Sequence, residues 1–271
     1  MIFPKISIVT PSYNQGEFIE DTIRSIVSQD YPNLEYIICD GGSTDNTVEI
    51  IKKYQDKITF WCSEKDNGQT DAINKGMKRA TGDIVGWINS DDVLLSGSLF
   101  QIANFFVAHK QCEFMNGTLM EINRKGDVLK LTHIIMSKYF MKHGCFNICQ
   151  QGMFWKRELF DKVGFLNETF HAEMDLEWLI RNYQLGTNIK LYNKPLGAIR
   201  IYEETKTALG GMIWENDQNA IAKKYGKSYT PNRKSIFFCF FVLIKIIRGC
   251  YFLNILETLK YRNKKFSTYQ Y

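Results

Sequence analysis

The stretch Ile-Ser-Ile-Val-Thr-Pro-Ser-Tyr-Asn at residues 6–14 joins a short apolar run to a polar cluster. The same arrangement recurs over the first 120 residues, where apolar runs alternate with segments whose hydrophobic residues recur at helical spacing. This alternation is typical of successive βα units around a parallel sheet. It predicts an α/β fold with strands at residues 6–10, 36–39, 58–62, 84–88 and 114–119.

The composition is that of a globular chain. Its 271 residues are 45% hydrophobic and 14% aromatic, enough for one large core or two modest ones, which excludes a disordered chain and a disulfide miniprotein. The seven cysteines include no CxxC pair, so a thiolate zinc site is unsupported and a reducing, cytoplasmic location is expected. No signal peptide is predicted, because residues 1–10 lack its basic and apolar regions.

The charge is distributed unevenly along the chain. Residues 223–271 contain eight Lys and three Arg but only one acid, Glu257, which gives a net charge of +10. The preceding residues carry a net charge of −5. A basic, aromatic tail on an acidic body usually meets an anionic surface.

Polar clusters at residues 10–14, 40–45 and 89–92 each follow a predicted strand. In open α/β sheets, ligands bind outside the carboxyl ends of the strands, so these clusters are expected to face one crevice. Asp91 and Asp92 are adjacent carboxylates, which a divalent cation or hydroxyl donors would neutralise. Mg²⁺ or Mn²⁺ would suit oxygen ligands, whereas the alternative is a solvated turn before a helix.

Two other acids have structural explanations on the residues alone. Lys75 follows Asp71 by four positions, which predicts a surface ion pair on a helix. Asp175 lies near the start of a helix predicted at residues 172–183, where the helix dipole favours an acid.

Five motifs occur here in one order: SIVTPSYN, DGGSTDNT, SEKDNGQTDAINKG, GDIVGWINSDD and MDLEWLIR. This ordered set resembles the family 2 glycosyltransferases of the GT-A fold over residues 5–181, with weaker similarity at residues 200–207. The resemblance implies a Rossmann-like, mostly parallel sheet flanked by helices, with a C-terminal helical extension. It implies a catalytic domain at residues 1–222, comprising a nucleotide-sugar half (1–120) and an acceptor half (121–222), followed by a basic, aromatic tail (223–271).

The activity that the resemblance implies is inverting transfer of a sugar from a nucleotide diphosphate sugar to an acceptor hydroxyl, in bacterial cell-surface polysaccharide or glycoconjugate biosynthesis. UDP is taken first because it is frequent in the family. The implied general base is Asp175, and the implied ligands of Mn²⁺ or Mg²⁺ are Asp91 and Asp92. The implied donor-binding residues are Thr10, Pro11, Tyr13, Asp40, Asp66, Asp71, Asp91 and Lys206. Gln151, Trp155 and Glu173 are assigned to the acceptor side, with core packing as the competing role for Trp155.

One position departs from the family pattern, and two other functions remain as alternatives. Tyr202 stands where many relatives carry a His after the residue matching Arg200. A nucleotidyltransferase would need a glycine-rich, basic phosphate loop, which residues 10–16 do not offer. A non-catalytic saccharide-binding protein would not need the acids at 91, 92 and 175. A dehydrogenase is excluded because no GxGxxG follows the first strand.

The tail is strongly apolar from residue 235 onward. Its longest uninterrupted apolar run, residues 236–244, is shorter than the roughly 20 residues needed to cross a bilayer core. The aromatic residues form a continuous run instead of the spacing of a base-stacking surface, which argues against nucleic acid. The tail therefore predicts peripheral attachment to the anionic inner face of the cell membrane and a lipid-linked saccharide acceptor. A buried hairpin or a homodimer interface is the alternative.

Overall fold

The computed structural model describes residues 3–231 and 234–271 and contains one large sheet covered by helices. The strands are β1 (Ile6–Ser12), β2 (Leu34–Asp40), β3 (Phe60–Ser63), β4 (Ile84–Trp87), β5 (Val93–Leu94), β6 (Phe114–Asn123), β7 (Val128–Thr132), β8 (Met153–Lys156) and β9 (Ile189–Ile201). The helices are α1 (Ile19–Val27), α2 (Thr47–Lys53), α3 (Gln69–Arg79), α4 (Ser98–Ala108), α5 (Lys138–Lys142), α6 (Leu159–Val163), α7 (Met174–Gln184), α8 (Lys206–Leu209), α9 (Met212–Tyr225), α10 (Ile236–Ile247) and α11 (Cys250–Tyr261).

The sheet has the strand order β3-β2-β1-β4-β8-β6-β9-β5, and β7 pairs with β6. Strands β3, β2, β1 and β4 run parallel, as predicted. Strand β8 is antiparallel to both of its neighbours, β4 and β6, whereas β6 and β9 are parallel. The predicted α/β fold, its five N-terminal strands and the helix near residue 175 are therefore confirmed, and the added strands make the sheet mixed.

The apolar runs form central strands because both faces of the sheet are covered. Along β1, Ile8 packs into one core with Ile38 of β2, and its neighbour Val9 packs into the core on the opposite face with Ile37. Successive residues of a strand point to opposite faces, so a strand covered on both sides must be apolar throughout. Helix α3 lies close to β1, and Gly76 leaves room there for the Val9 side chain.

The predicted boundaries within the chain fall inside structural elements. The division after residue 120 lies within β6, and the division after residue 222 lies within α9. Strand β9 pairs with β6 over most of its length and with β5, so the two predicted halves share one sheet. These divisions describe stretches of sequence and do not mark breaks between separate units.

The C-terminal helices pack on the body of the protein. The Leu131 N–H of β7 donates to Thr258 Oγ1 of α11 at 3.0 Å, and Tyr261 is buried in a third core with Val128. Among the described residues, no single helix has both the length and the apolarity to span a bilayer. Helices α10 and α11 meet those criteria only when taken together, and they are bent by 60° at their junction.

Candidate active site

A cavity of about 570 Å³ opens at the carboxyl ends of β1, β2 and β4. Its walls come from segments that are far apart in sequence: residues 11–15, Gly41, residues 65–72, residues 89–92 and residues 199–206. Three of these segments end or directly follow parallel strands. They meet at the cavity because the carboxyl ends of parallel strands share one edge of a sheet. The predicted crevice is therefore present, and the three polar clusters contribute to it.

The cavity wall carries an aromatic ring and a carboxylate. Tyr13, which is 60% exposed, lines the cavity with Pro11 and Asp66. The Asp66 carboxylate accepts the Gly68 N–H at 2.8 Å and lies over Gly41, where a side chain would collide with it. The structure thus brings together three of the predicted donor-binding residues.

Asp40 is not exposed to this cavity. Its Oδ2 accepts the N–H groups of Gly42 (3.2 Å) and Ser43 (2.9 Å) and the hydroxyl of Ser63 (2.6 Å), and the residue is 2% exposed. These bonds hold the turn after β2 against the end of β3. The prediction that Asp40 contacts the donor directly is therefore corrected: its carboxylate is used to shape the loop.

Thr10 and Asp71 are also absent from the cavity wall. Thr10 is fully buried, and its Oγ1 accepts the Tyr36 hydroxyl at 3.1 Å. Asp71 accepts the Asn67 N–H at 2.9 Å near the start of α3 and pairs with Lys75 at 3.5 Å. The ion pair predicted for Asp71 is present, and the predicted donor contacts of Thr10 and Asp71 are corrected to supporting roles.

Asp92 is held in internal hydrogen bonds. Its Oδ1 accepts the Arg200 N–H at 2.9 Å, and its Oδ2 accepts the side-chain amides of Gln151 (2.7 Å) and Asn89 (3.0 Å). Burial and the neighbouring Asp91 raise the pKa of Asp92 to about 7. Asp92 lies in the cavity wall, and its hydrogen bonds link the loop after β4 to β9; its role as a cation ligand stays a prediction. Gln151 was assigned to the acceptor side, but it is buried and its side-chain amide donates to Asp92, so that assignment is corrected.

Asp91 is the half-buried carboxylate that faces the cavity. Its Oδ2 accepts the Tyr202 hydroxyl at 2.9 Å, and its backbone carbonyl accepts Arg200 Nε at 2.8 Å. Burial raises the pKa of Asp91, and the hydrogen bond from Tyr202 opposes that rise. The roles of Tyr202 and Arg200 were not predicted. The signal was present, since both lie in the segment at residues 200–207.

The cavity offers few protein ligands for a divalent cation. In the part of the chain that the structure describes, no three His, Cys, Asp or Glu side chains are grouped as a metal site. Mg²⁺ in nucleotide enzymes is usually held by one or two carboxylates together with substrate phosphates and water. Asp91 can serve as such a single ligand, so the residues suit a cation that arrives with a diphosphate.

Lys206 lies in the cavity wall. Its ammonium group donates to Gln69 Oε1 at 2.7 Å and to the His171 carbonyl at 3.0 Å. Gln69 in turn donates to Asn89 Oδ1 at 2.8 Å. This chain of contacts connects the loop at residues 89–92, the carboxylate loop, to the segment that precedes α7. Helix α7 carries the predicted base, Asp175.

Two acids at the start of α7 have raised pKa values. Burial raises the pKa of Asp175 to about 6, and the Leu176 N–H donates to its Oδ1 at 2.7 Å. Burial, with Asp175 and Asp217 nearby, raises the pKa of Glu173 to about 7. Glu173 is 4% exposed, and its Oε2 has no hydrogen-bond partner among the described residues. Neither acid lines the cavity, but Lys206 of the cavity wall donates to the carbonyl of His171, two residues before Glu173.

Trp155 belongs to the hydrophobic core. It is 1% exposed, and its ring packs at centroid distances of 5.7 Å from Trp87, 6.0 Å from Phe114 and 4.6 Å from Trp178. A side chain enclosed in this way cannot contact an acceptor. The assignment of Trp155 to the acceptor side is therefore wrong, and its competing role in core packing is confirmed.

Asp217 of α9 fixes the segment before α7. Its Oδ2 accepts the backbone N–H groups of His171 (2.9 Å), Ala172 (2.7 Å) and Glu173 (2.9 Å), and the residue is 4% exposed. A single carboxylate oxygen thus orients three consecutive peptides. Asp217 was not predicted, because one acid in an amphipathic helix carries no motif.

We expect Asp217→Ala to lower the free energy of unfolding by about 2–4 kcal/mol, because it leaves three buried N–H donors without a charged acceptor. Urea denaturation followed by circular dichroism measures this change. Glu215→Ala, at an exposed position of the same helix, is the matched control and should change stability by less than about 0.5 kcal/mol. Equal stabilities of the two variants would contradict the role given to Asp217.

Solved structures with the same architecture bind nucleotide sugars. Staphylococcus aureus TarS 1-349 in complex with UDP-GlcNAc superimposes with a TM-score of 0.64 at 17% identity, covering 83% of this chain and 69% of that chain. The mannosyltransferase PcManGT from Pyrobaculum calidifontis, in complex with GDP-Man and Mn²⁺, gives a TM-score of 0.59 at 17% identity, covering 77% and 60%. At this identity the similarity shows the fold alone, which is the predicted GT-A fold.

The sequence comparisons then define the family. The model of the family described as "Glycosyl transferase family 2" matches residues 7–164, more than half of the chain. The chain belongs to glycosyl transferase family 2. A curated relative is the putative teichuronic acid biosynthesis glycosyltransferase TuaG of Bacillus subtilis (strain 168), 37% identical over 115 residues. That alignment covers 41% of this chain and 42% of the relative.

Proposed function

We propose that this protein catalyses inverting transfer of a sugar from a UDP-sugar to a saccharide hydroxyl in bacterial cell-surface polysaccharide or glycoconjugate assembly. The observation that carries the proposal is the cavity at the carboxyl edge of the parallel strands. Its wall contains Tyr13 and Asp66 together with Asp91 and Lys206. The relative named for teichuronic acid biosynthesis supports the choice of pathway class.

The residues of the cavity wall suit the two parts of a nucleotide sugar. The exposed ring of Tyr13 can stack on a nucleobase, and the Asp66 carboxylate can accept an N–H from the base edge. Lys206, which also lines the cavity, supplies a positive charge for the diphosphate. UDP-GlcNAc bound to TarS supports UDP as the first nucleotide to test.

A divalent cation, Mn²⁺ or Mg²⁺, would neutralise the charge that develops on the leaving diphosphate. Asp91 is the residue placed to hold it, with the diphosphate oxygens as further ligands. The Tyr202 hydroxyl fixes one oxygen of that carboxylate and so sets its orientation. Mn²⁺ bound with GDP-Man in PcManGT supports the use of a cation within this fold.

In the proposed reaction, Asp175 accepts the proton of the acceptor hydroxyl. The acceptor oxygen forms a bond to the anomeric carbon as the bond from that carbon to the diphosphate oxygen breaks, and the nucleoside diphosphate leaves with the electron pair. A raised pKa brings the carboxylate closer to the pKa that suits a base near neutral pH. Glu173, whose buried Oε2 has no hydrogen-bond partner in the described part of the chain, is the competing base.

A thermal-shift panel tests the donor site. UDP with Mn²⁺, at about a hundredfold excess over its dissociation constant, should stabilise the protein by about 2.7 kcal/mol, which is a rise in Tm of about 5–10 °C. GDP, CDP and dTDP should give smaller shifts. The Asp66→Asn variant should lose most of the UDP response.

A preference for another nucleotide would reassign the donor while keeping the site. If no nucleoside diphosphate raises the Tm with or without Mn²⁺, the proposed donor site is wrong. A response that is unchanged in Asp66→Asn would exclude that residue from nucleobase binding.

A further inference from the structure

The two C-terminal helices have their apolar faces turned away from the protein. On α10, Ile236, Phe240, Leu243 and Ile247 recur at intervals of three and four residues and are 48% to 74% exposed. Residues at this spacing form one stripe along a helix. In a helix that packs on a globular core, such a stripe faces inward. Here it faces solvent.

Helix α11 shows the same inversion more clearly. Phe252, Ile255, Leu256 and Leu259 form a stripe and are 47% to 69% exposed. The opposite, polar side of α11 faces the protein: Asn254 Oδ1 accepts the His133 N–H at 2.7 Å, and Thr258 accepts the Leu131 N–H at 3.0 Å. Polar groups therefore attach the helix to the body, and its apolar side has no protein partner among the described residues.

Helix α10 is attached in a comparable way by its inner face. Phe241 is buried and packs at 5.3 Å from the Phe140 ring. Lys245, which interrupts the apolar run in the sequence, is also buried, and its ammonium group donates to Asn147 at 3.2 Å. Lys245 therefore lies on the inward side of α10, and the outward apolar stripe contains no charged residue from this helix.

The charges around the two stripes are positive. Arg248, at the corner between the helices, and Lys260 and Arg262, at the end of α11, are exposed. The one acid of residues 223–271, Glu257, lies toward the body, with its Oε2 3.8 Å from His133 Nε2. Apolar stripes flanked by basic side chains match the acyl region and the headgroups of an anionic lipid leaflet.

From this arrangement we propose that α10 and α11 form a membrane-docking surface for anionic phospholipid, in which the two stripes enter the interface and the three exposed cations contact headgroups. A second copy of the chain is the competing occupant. It fits less well, because two such surfaces would bring their cations together. The proposal is independent of the sugar and nucleotide that the cavity uses.

Vesicle flotation of the full chain tests the proposal. The wild-type protein should float with vesicles of phosphatidylcholine and phosphatidylglycerol and should bind far less to phosphatidylcholine alone. Arg248→Gln with Lys260→Gln and Arg262→Gln should weaken binding by about fivefold for each charge removed. Lys52→Gln with Lys53→Gln and Lys57→Gln, a triple change at exposed positions near α2, is the matched control and should bind as the wild type does.

A second variant tests the stripes. Phe240→Ser with Ile247→Ser, Phe252→Ser and Leu259→Ser should lower vesicle partitioning by about tenfold or more, because four apolar side chains no longer enter the interface. All four positions are exposed, so the Tm and the nucleotide response should be retained.

Val107→Ser with Leu185→Ser, exposed apolar positions elsewhere, serves as the control for the stripe variant. Equal flotation of the wild type and the stripe variant would overturn the proposal, as would equal binding to neutral and anionic vesicles. A third result would also overturn it: the wild type does not bind vesicles but forms a dimer in light scattering, and the stripe variant does not form that dimer.

Discussion

Replacing Asp175 with asparagine is expected to lower kcat by about 10² to 10⁴, because the amide cannot accept the acceptor proton. Nucleotide binding should be unchanged, since Asp175 does not line the cavity. Initial rates with a UDP-sugar, together with a binding measurement for UDP, separate these two effects. A loss of turnover with retained affinity would identify a group that acts in the chemical step.

The matched control is Glu173→Gln, two residues away on the same turn. If Asp175 is the base, Glu173→Gln should keep most of the turnover. If instead Glu173→Gln loses turnover and Asp175→Asn retains it, the base is Glu173, whose Oε2 lacks a partner among the described residues. Retention of full activity in both variants would contradict catalysis by either acid.

The pH profile gives an independent reading of the same assignment. A base works as the ionised carboxylate, and burial raises the pKa of Asp175 to about 6. Turnover should therefore rise with pH up to about 6 and fall about tenfold for each unit below it. If Glu173 is the base, the midpoint should lie near its own raised pKa of about 7.

Replacing Asp91 with asparagine is expected to reduce kcat/KM by about 10² to 10³, because Asp91 is the carboxylate proposed to hold the cation at the diphosphate. The Mn²⁺-dependent part of the UDP thermal shift should disappear in the same variant. Isothermal titration with UDP, with and without Mn²⁺, measures that loss directly.

Tyr202→Phe is the control for Asp91, because it removes the hydroxyl bonded to the carboxylate and keeps the carboxylate itself. Its response to Mn²⁺ should persist. An unchanged Mn²⁺ response in Asp91→Asn would show that the cation is held elsewhere. If both variants lose the response, the orientation set by Tyr202 is as necessary as the charge.

The sequence predicted the N-terminal half of the sheet well, for a physical reason. Strands covered on both faces are apolar throughout, so the segments around Ile8, Ile38 and Val85 stand out from the helices between them. Residues 121–200 lack that alternation, and the antiparallel insertion of β8 between β4 and β6 was therefore not predicted.

The candidate site was predicted only in part. The rule that ligands bind at the carboxyl edge of the sheet placed Pro11, Tyr13 and Asp91 at one crevice, and the family resemblance added Asp66 and Lys206, which also line the cavity. It could not tell a carboxylate that faces the cavity from one that is used internally. That distinction depends on donors remote in sequence, such as the Ser63 hydroxyl at Asp40 and the Arg200 N–H at Asp92.

The buried Arg200 has a consequence for building hybrids between relatives. Its backbone N–H binds Asp92, its side chain binds the Asp91 carbonyl, and Val93 of β5 pairs with Ala198 of β9. Residues 89–94 and 197–202 therefore form one transplantable module, although about a hundred positions separate them. A chimera that exchanges only one of these segments would misalign the other, whereas one that moves both would keep the carboxylate loop in register with its strand.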